Sequence, residues 1–161
     1  MSEVSAKLRR VDGLNFNVEV ADGRRIQLNS AEDMGNAFTP MELFLVALAG
    51  CTAMDVQWIL EKQRQKVEGL EVSVRGVRRE EDPAYYENIY LEYSVRGQSI
   101  RKDAVERAIR LSQEKYCSVR AMIKETVKTH ITYTIANGKG TEQKFVYPAL
   151  TNETAEKPLR D

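Results

Sequence analysis

Charged residues are absent from residues 43–54, and the apolar side chains there would surround a helix without leaving a polar face. This pattern is typical of a buried helix. Thr39 is a suitable N-cap, Pro40 takes the first helical position, and Glu42 completes a T-x-x-E capping box. Charged residues return after residue 54, which makes the second half amphipathic. The sequence therefore predicts one long central helix over residues 39–64.

Cys51 lies in the middle of the uncharged half, between Gly50 and Thr52. A glycine inside a helix costs about 1 kcal/mol relative to alanine, so Gly50 predicts another element packed close to the thiol. The residues alone favour Cys51 as a small apolar core residue, because free cysteine is among the most buried residue types. Asp55 follows one helical turn later on the same face. Such a residue is ordinarily a surface charge, but its position also makes it a candidate to support the thiol.

Alternating apolar and polar residues predict strands on both sides of this helix. Residues 4–28 contain three short strands, separated by the turn pairs 12–13 and 22–23, both Asp-Gly. Residues 70–77 and 89–96 predict a long antiparallel hairpin with one solvent-exposed face.

The remaining elements follow in the order helix, helix, strand. Residues 99–116 have a helical apolar stripe, and Ser118 is the predicted N-cap of a second helix, with Cys117 at the join between the two. Residues 130–135 form a last strand. Because strands and helices do not alternate, the order predicts an α+β fold with antiparallel sheets around the central helix.

Residues 137–161 are mostly polar and are interpreted as a C-terminal tail beyond a domain of residues 1–136. The sizeable apolar residues of this tail are predicted to dock it on the domain. They are Phe145, Val146, Tyr147 and Leu150.

Composition narrows the class of protein. The chain has 161 residues, with 24 Lys and Arg against 24 Asp and Glu, and no basic stripe with interleaved aromatic residues. This argues against nucleic acid as a partner. The first ten residues lack the apolar run of a signal peptide, and the uncharged stretch is too short to cross a bilayer. We therefore expect a cytoplasmic protein without a membrane partner.

Two cysteines and one histidine, His130, do not supply the four ligands of a usual zinc site. We expect neither metal nor cofactor. In a reducing compartment, two cysteines indicate core filling or redox chemistry rather than a structural disulfide. His130 is a weak candidate base within a strand.

Two segments carry a family likeness. They are TPMELFLVALAGCTAMDVQWILEKQR at residues 39–64 and LSQEKYCSVRAMI at residues 111–123. With the strand order between them, they resemble the OsmC/Ohr family, and most closely its YhfA-like "predicted redox protein" branch. The resemblance implies an intertwined homodimer that reduces organic hydroperoxides. It assigns Cys51 as the peroxidatic residue and Cys117 as the resolving one, with an external dithiol as reductant.

One departure from the family pattern lies at the start of the central helix. The peroxidase branches have a glutamate directly after the proline, which holds an arginine from the preceding loop, but this chain has Met41 there. Glu42 is about 100° further round the helix. Arg24 and Arg25 are the nearest arginines before the helix. The resemblance thus gives Arg25 and Glu42, with Asp55, as candidate supporting residues.

The positions of the two cysteines also predict their relative acidity. Cys51 is far from a helix N-terminus, and the carboxylate of Asp55 would raise its pKa. Cys117 precedes a predicted helix N-terminus and lies three residues from Arg120, so the sequence predicts that Cys117 is the more acidic thiol.

Three functions remain open from the sequence. The first is a thiol-based redox homodimer that reduces a hydroperoxide, organic because the helix face is apolar. The second is a non-enzymatic dimer that binds a small apolar ligand at its interface pocket, and the third is a purely structural dimer. A Cys51–Cys117 disulfide after mild oxidation favours the first function, whereas a co-purified ligand with unreactive thiols favours the second.

Overall fold

The computed structural model describes residues 3–30, 35–138, 140 and 142–148. The chain divides between Val46 and Ala47 into two compact units. The long helix α1 (Pro40–Lys62) contributes residues to both units.

The first unit contains a three-stranded antiparallel sheet. Its strands are β1 (Ala6–Asp12), β2 (Asn15–Val20) and β3 (Arg25–Leu28), in that spatial order. Gly13 and Gly23 take the positive φ angles, 39° and 85°, that tight turns require of them. The three predicted strands and both predicted turns are confirmed.

Helix α1 begins with the predicted capping box. The backbone N–H of Thr39 donates to the Glu42 carboxylate at 2.7 Å. The backbone N–H of Glu42 donates in return to the Thr39 hydroxyl at 3.2 Å. Two N–H groups that the helix cannot satisfy are thereby paired, which fixes its start at Pro40.

The second unit contains a four-stranded mixed sheet. Its strands, in spatial order, are β4 (Lys66–Arg78), β5 (Tyr86–Gln98), β6 (Lys128–Asn137) and β7 (Gln143–Val146). β4 is antiparallel to β5, as predicted, and β7 is antiparallel to β6. β6 is parallel to β5. The prediction of antiparallel sheets is therefore wrong for this pair, because the helices after β5 return the chain to the end of the sheet where β5 began.

Two helices and a π-helical turn connect β5 to β6. They are α2 (Lys102–Leu111), the π-helical turn (Ser112–Tyr116) and α3 (Ser118–Ile123). The first predicted helix starts later than expected because Ile100 is held outside it, where its N–H donates to the Asn137 side chain at 2.7 Å.

Strand β7 belongs to the segment that the sequence predicts as a C-terminal tail. The ring of Phe145 stacks on Tyr133 of β6 with centroids 5.0 Å apart, so docking by this residue is confirmed. The sequence did not predict a strand because only two of its four residues are apolar. Leu150 lies outside the described residues, and the domain boundary at residue 136 remains a prediction.

Only one side of α1 is buried within the single chain. The buried residues recur at helical spacing and are Leu48, Thr52, Val56, Ile59 and Leu60. On other sides of the helix Met54 is 72% exposed and Trp58 is 49% exposed. By length and composition alone the helix could also cross a bilayer, a property shared by the core helices of many soluble proteins.

Two glycines of the β4–β5 pair differ in what a side chain would meet. A Cβ at Gly97 would overlap the backbone carbonyl oxygen of Lys66, whereas a Cβ at Gly69 would meet only the movable guanidinium of Arg96, at 2.8 Å. We expect Gly97→Ala to lower the free energy of unfolding by about 2–3 kcal/mol, because the strands must separate locally. Gly69→Ala should cost less than about 1 kcal/mol. Urea denaturation of both variants tests this, and equal losses would contradict it.

Candidate functional site

Cys51, Asp55 and Cys117 come together in the second unit. Cys51 and Asp55 lie one turn apart on α1, and Cys117 immediately precedes α3. The two Sγ atoms and a carboxylate oxygen of Asp55 all lie within 4.8 Å of one another. Both cysteines are free thiols, with Cys51 half-buried and Cys117 buried. The structure therefore brings together both cysteines, which are predicted to carry the chemistry, and the candidate supporting residue Asp55.

Cys117 is held in place as the N-cap of α3. Its backbone is extended, and its N–H donates to the carbonyl of Ser112 at 2.9 Å. Its Sγ accepts the backbone N–H of Arg120 at 3.4 Å. The sequence placed this capping role at Ser118, but the thiol takes the position because the π-helical turn ends one residue earlier.

The acidity predicted for Cys117 is wrong. Burial raises the pKa of the Cys117 thiol above its ordinary value, and a hydrogen bond to Cys51 raises it further. The N–H of Arg120 lowers this pKa, but by less than burial raises it. One N–H at the start of a six-residue helix is too weak to offset the removal of the thiol from water.

A chain of buried hydroxyl groups leads to Asp55. Tyr93 of β5 lies 2.6 Å from the hydroxyl of Thr52, which lies 2.8 Å from that of Ser112. Ser112 donates to the carboxylate of Asp55 at 2.9 Å. We call Tyr93, Thr52 and Ser112 the hydroxyl chain. Burial raises the pKa of Asp55, and the hydrogen bond from Ser112 lowers it by less.

Gln113 completes this buried network. Its side-chain amide donates to the hydroxyls of Thr52 and Tyr93 at 3.1 and 3.2 Å. Burial also raises the pKa of Tyr93, so its phenol stays protonated near neutral pH. The sequence does not predict this network, because its members are distant in the chain. The only signal was that Ser112 and Gln113 fall within the segment at residues 111–123.

Arg120 is buried, which the sequence does not indicate. It is 5% exposed, and its Nε and Nη1 atoms have no hydrogen-bond partner among the described residues. Burial lowers the pKa of its guanidinium, whereas the charge of Glu125 and that of Cys117 in its ionised form raise it. A buried cation that interacts with Cys117 is therefore available to the anionic form of that thiol.

The other candidate supporting residues belong to the first unit. Arg25 lies on β3 and forms an exposed ion pair with Glu19 at 3.0 Å. Glu42 forms the capping box. Their predicted support of Cys51 remains a prediction. His130 lies on β6, where it hydrogen-bonds Asn88 at 3.0 Å.

The three converging groups also bear on metal binding. Two thiols and a carboxylate are one ligand short of the closed tetrahedral site that structural zinc prefers. We assign no metal to this group, and the absence of a metal or cofactor remains a prediction.

Comparison with known proteins identifies the class. A family model described as OsmC-like protein matches residues 32–132. Protein YhfA of Escherichia coli (strain K12) is 40% identical over 132 residues, covering 82% of this chain and 98% of the relative. The chain is thus an α+β protein in which two free thiols lie close together. The chain belongs to the OsmC-like family, as the sequence predicted.

Solved structures agree with this assignment. A hypothetical protein from Aquifex aeolicus VF5 superposes with a TM-score of 0.78 at 32% identity, covering 86% of this chain and 100% of that one. An organic hydroperoxide resistance protein OsmC from Legionella pneumophila superposes with a TM-score of 0.65 at 17% identity, covering 84% and 98%. At that lower identity the likeness shows the fold alone.

Proposed function

We propose that this chain is a thiol-based redox protein that reduces hydroperoxides. The observation that carries the proposal is the approach of the two free thiols, whose Sγ atoms lie within 4.8 Å of each other. An S–S bond of about 2.05 Å requires the two Sγ atoms to approach each other from this distance. Family membership and the hydroperoxide-resistance proteins among the structural neighbours support a redox-related role.

The difference in burial between the two thiols supports different roles for them. Cys51 is half-buried and can meet a substrate, whereas Cys117 is 3% exposed. Cys51 attacks the terminal oxygen of the hydroperoxide, the O–O bond breaks, and Cys51 becomes a sulfenic acid while an alcohol leaves. The thiol of Cys117 then displaces the hydroxyl as water and forms the disulfide. An external dithiol reduces the disulfide by exchange and returns both thiols.

The exposed side of α1 supports the proposal of a homodimer. Met54 and Trp58 are exposed there and line an open groove of about 550 Å³ together with Val67 and Leu70 of β4. A second copy would remove this apolar surface from water. Because the helix around Cys51 is apolar, we propose an organic hydroperoxide as the substrate. We propose a cytoplasmic location, because the chemistry requires a dithiol reductant.

The same groove carries the second candidate function. An apolar molecule bound beside Trp58 would make the protein a ligand carrier in which the thiols take no part, since neither Cys51 nor Cys117 lines this groove. Native mass spectrometry of the freshly purified protein tests this. A stoichiometric adduct of small mass together with thiols inert to peroxide would favour the carrier.

The redox proposal predicts catalytic consumption of an organic hydroperoxide. With cumene hydroperoxide and a dithiol reductant, we expect wild-type protein to turn over many equivalents, whereas a variant with both cysteines changed to serine stays at the rate of free dithiol. The thiol sulfur supplies the two electrons that reduce the peroxide, and a serine hydroxyl does not replace it. Equal rates for the two proteins, with both wild-type thiols still titratable afterwards, would overturn the proposal.

A further inference from the structure

The protons of the hydroxyl chain all point the same way when Asp55 is ionised. Each hydroxyl has one proton, and that of Ser112 is donated to the Asp55 carboxylate. Ser112 must therefore accept from Thr52, and Thr52 in turn from Tyr93. The amide of Gln113 adds further donors to Thr52 and Tyr93. The hydroxyl protons of the buried network are thus all oriented toward the carboxylate of Asp55.

Nothing in the fold requires such a network. It joins side chains from α1, β5 and the π-helical turn, and Thr52 and Ser112 are both fully buried. Apolar side chains of similar size could pack the same space without leaving a buried polar atom unpaired, whereas Gln113 Oε1 has no hydrogen-bond partner among the described residues. Its one outlet among the described contacts is the carboxylate that faces Cys51 and Cys117.

We propose that Asp55 is the proton acceptor of the attacking thiol and that Ser112 positions it. This inference rests on the proposed hydroperoxide reduction. As the sulfur of Cys51 attacks the terminal oxygen, its proton passes to the Asp55 carboxylate and the O–O bond breaks. The leaving alkoxide takes that proton from Asp55 and departs as the alcohol. Sulfur loses two electrons to the peroxide, and Asp55 ends as it began.

The surroundings of Asp55 suit this role. The titratable groups that face it are Cys51 on its own helix, Cys117 before α3 and Tyr93 on β5, with Arg120 beside Cys117. Burial raises the pKa of Asp55, which brings the carboxylate closer to the pH at which a general base is most effective.

Electrostatics and proton transfer predict opposite effects of Asp55→Asn. The negative charge of Asp55 raises the pKa of Cys117. Removing that charge should lower the pKa of Cys117 and should not slow alkylation of either thiol, because alkylation needs a thiolate but no proton carrier. Reduction of a hydroperoxide also needs a proton for the leaving alkoxide, and Asn cannot carry one. A variant that alkylates as fast as wild type but reduces peroxide slowly identifies a proton carrier.

The test is a single-turnover oxidation of the reduced protein by cumene hydroperoxide, beside alkylation by iodoacetamide. We expect Asp55→Asn to oxidise about 100-fold more slowly, with alkylation unchanged or faster. Asp103→Asn is the matched control, because Asp103 is exposed on α2 and pairs with Arg101 at 2.8 Å. It should match wild type in both reactions.

The pH profile tests the positioning role of Ser112. In wild type the oxidation rate should rise with pH as Asp55 ionises. Ser112→Ala removes a hydrogen bond that lowers the pKa of Asp55, so this rise should move to higher pH. It should disappear in Asp55→Asn. This shift also keeps the inference testable if Asp55→Asn does not fold.

Each other outcome has one meaning. A fast wild type with an equally fast Asp55→Asn variant would overturn the role of Asp55 and leave hydroperoxide reduction standing. Parallel losses of oxidation and alkylation, or an unshifted profile in Ser112→Ala, would reduce Asp55 and Ser112 to structural residues. A wild type no faster than free cysteine would overturn the proposed function and this inference with it.

Discussion

Cys51→Ser is expected to abolish hydroperoxide turnover, with a loss on the order of 1,000-fold or more. A hydroxyl at this position has neither the acidity nor the nucleophilicity of a thiol, and removal of a nucleophile typically eliminates most of an enzyme's acceleration. Serine preserves the size of the side chain in the half-buried site on α1, so the fold should be retained. Steady-state peroxide consumption, with the melting temperature as a control for folding, measures the effect.

Cys117→Ser should behave differently because Cys117 acts after the peroxide bond is broken. This variant should consume one equivalent of hydroperoxide and then stop, with the sulfenic acid of Cys51 trapped by dimedone. It should form no intramolecular disulfide. If Cys117→Ser instead loses the first equivalent and Cys51→Ser retains it, the two roles proposed here are reversed.

The parts of the fold encoded by neighbouring residues were predictable. The capping box joins Thr39 to Glu42 across one helical turn, so its spacing in the sequence was sufficient to place the start of α1. Glycines with positive φ set the turns of the first sheet. The long β4–β5 hairpin follows in the same way from alternating residues around a charged turn.

The parts that depend on distant residues were not predictable. Thr52 and Ser112 are separated by 60 positions, yet their hydroxyls lie 2.8 Å apart. Nothing in the pattern around either residue indicates this contact, because buried serine and threonine have no periodic signature. Parallel pairing of β5 with β6 likewise depends on how the intervening helices pack.

The pair of cysteines shows how position in the sequence can mislead about chemistry. The helix start and the arginine near Cys117 were identified correctly, but their effect on acidity was not. Desolvation depends on burial, which a single sequence does not give at this position. Arg120 is buried as well, and burial lowers the pKa of its guanidinium. A charge at the right spacing is therefore not sufficient to activate a thiol.

Selective labelling distinguishes the acidic Cys117 predicted from the sequence from the protonated Cys117 that burial favours. At neutral pH we expect iodoacetamide to modify Cys51 and to modify Cys117 more slowly by a factor on the order of 100. Each unit by which the pKa is raised removes about tenfold of the thiolate, and burial further restricts access. Peptide mass spectrometry of a labelling time course gives both rates, with the urea-unfolded chain as a control in which they should converge.

The raised pKa of Cys117 also has a consequence for stability. Because its pKa is raised by folding, the folded chain keeps the thiol protonated where the unfolded chain would lose the proton. The contribution of the protonated thiol to the free energy of unfolding is therefore complete below the pKa of the unfolded thiol, about 8.5, and is lost as pH rises above it. The free energy of unfolding should therefore fall more steeply with alkaline pH in wild type than in Cys117→Ser, which cannot ionise there. Identical slopes would mean that folding leaves the pKa of Cys117 unchanged. A shallower fall in wild type than in Cys117→Ser, or preferential labelling of Cys117, would restore the acidic Cys117 that the sequence predicted and would make it the better candidate nucleophile.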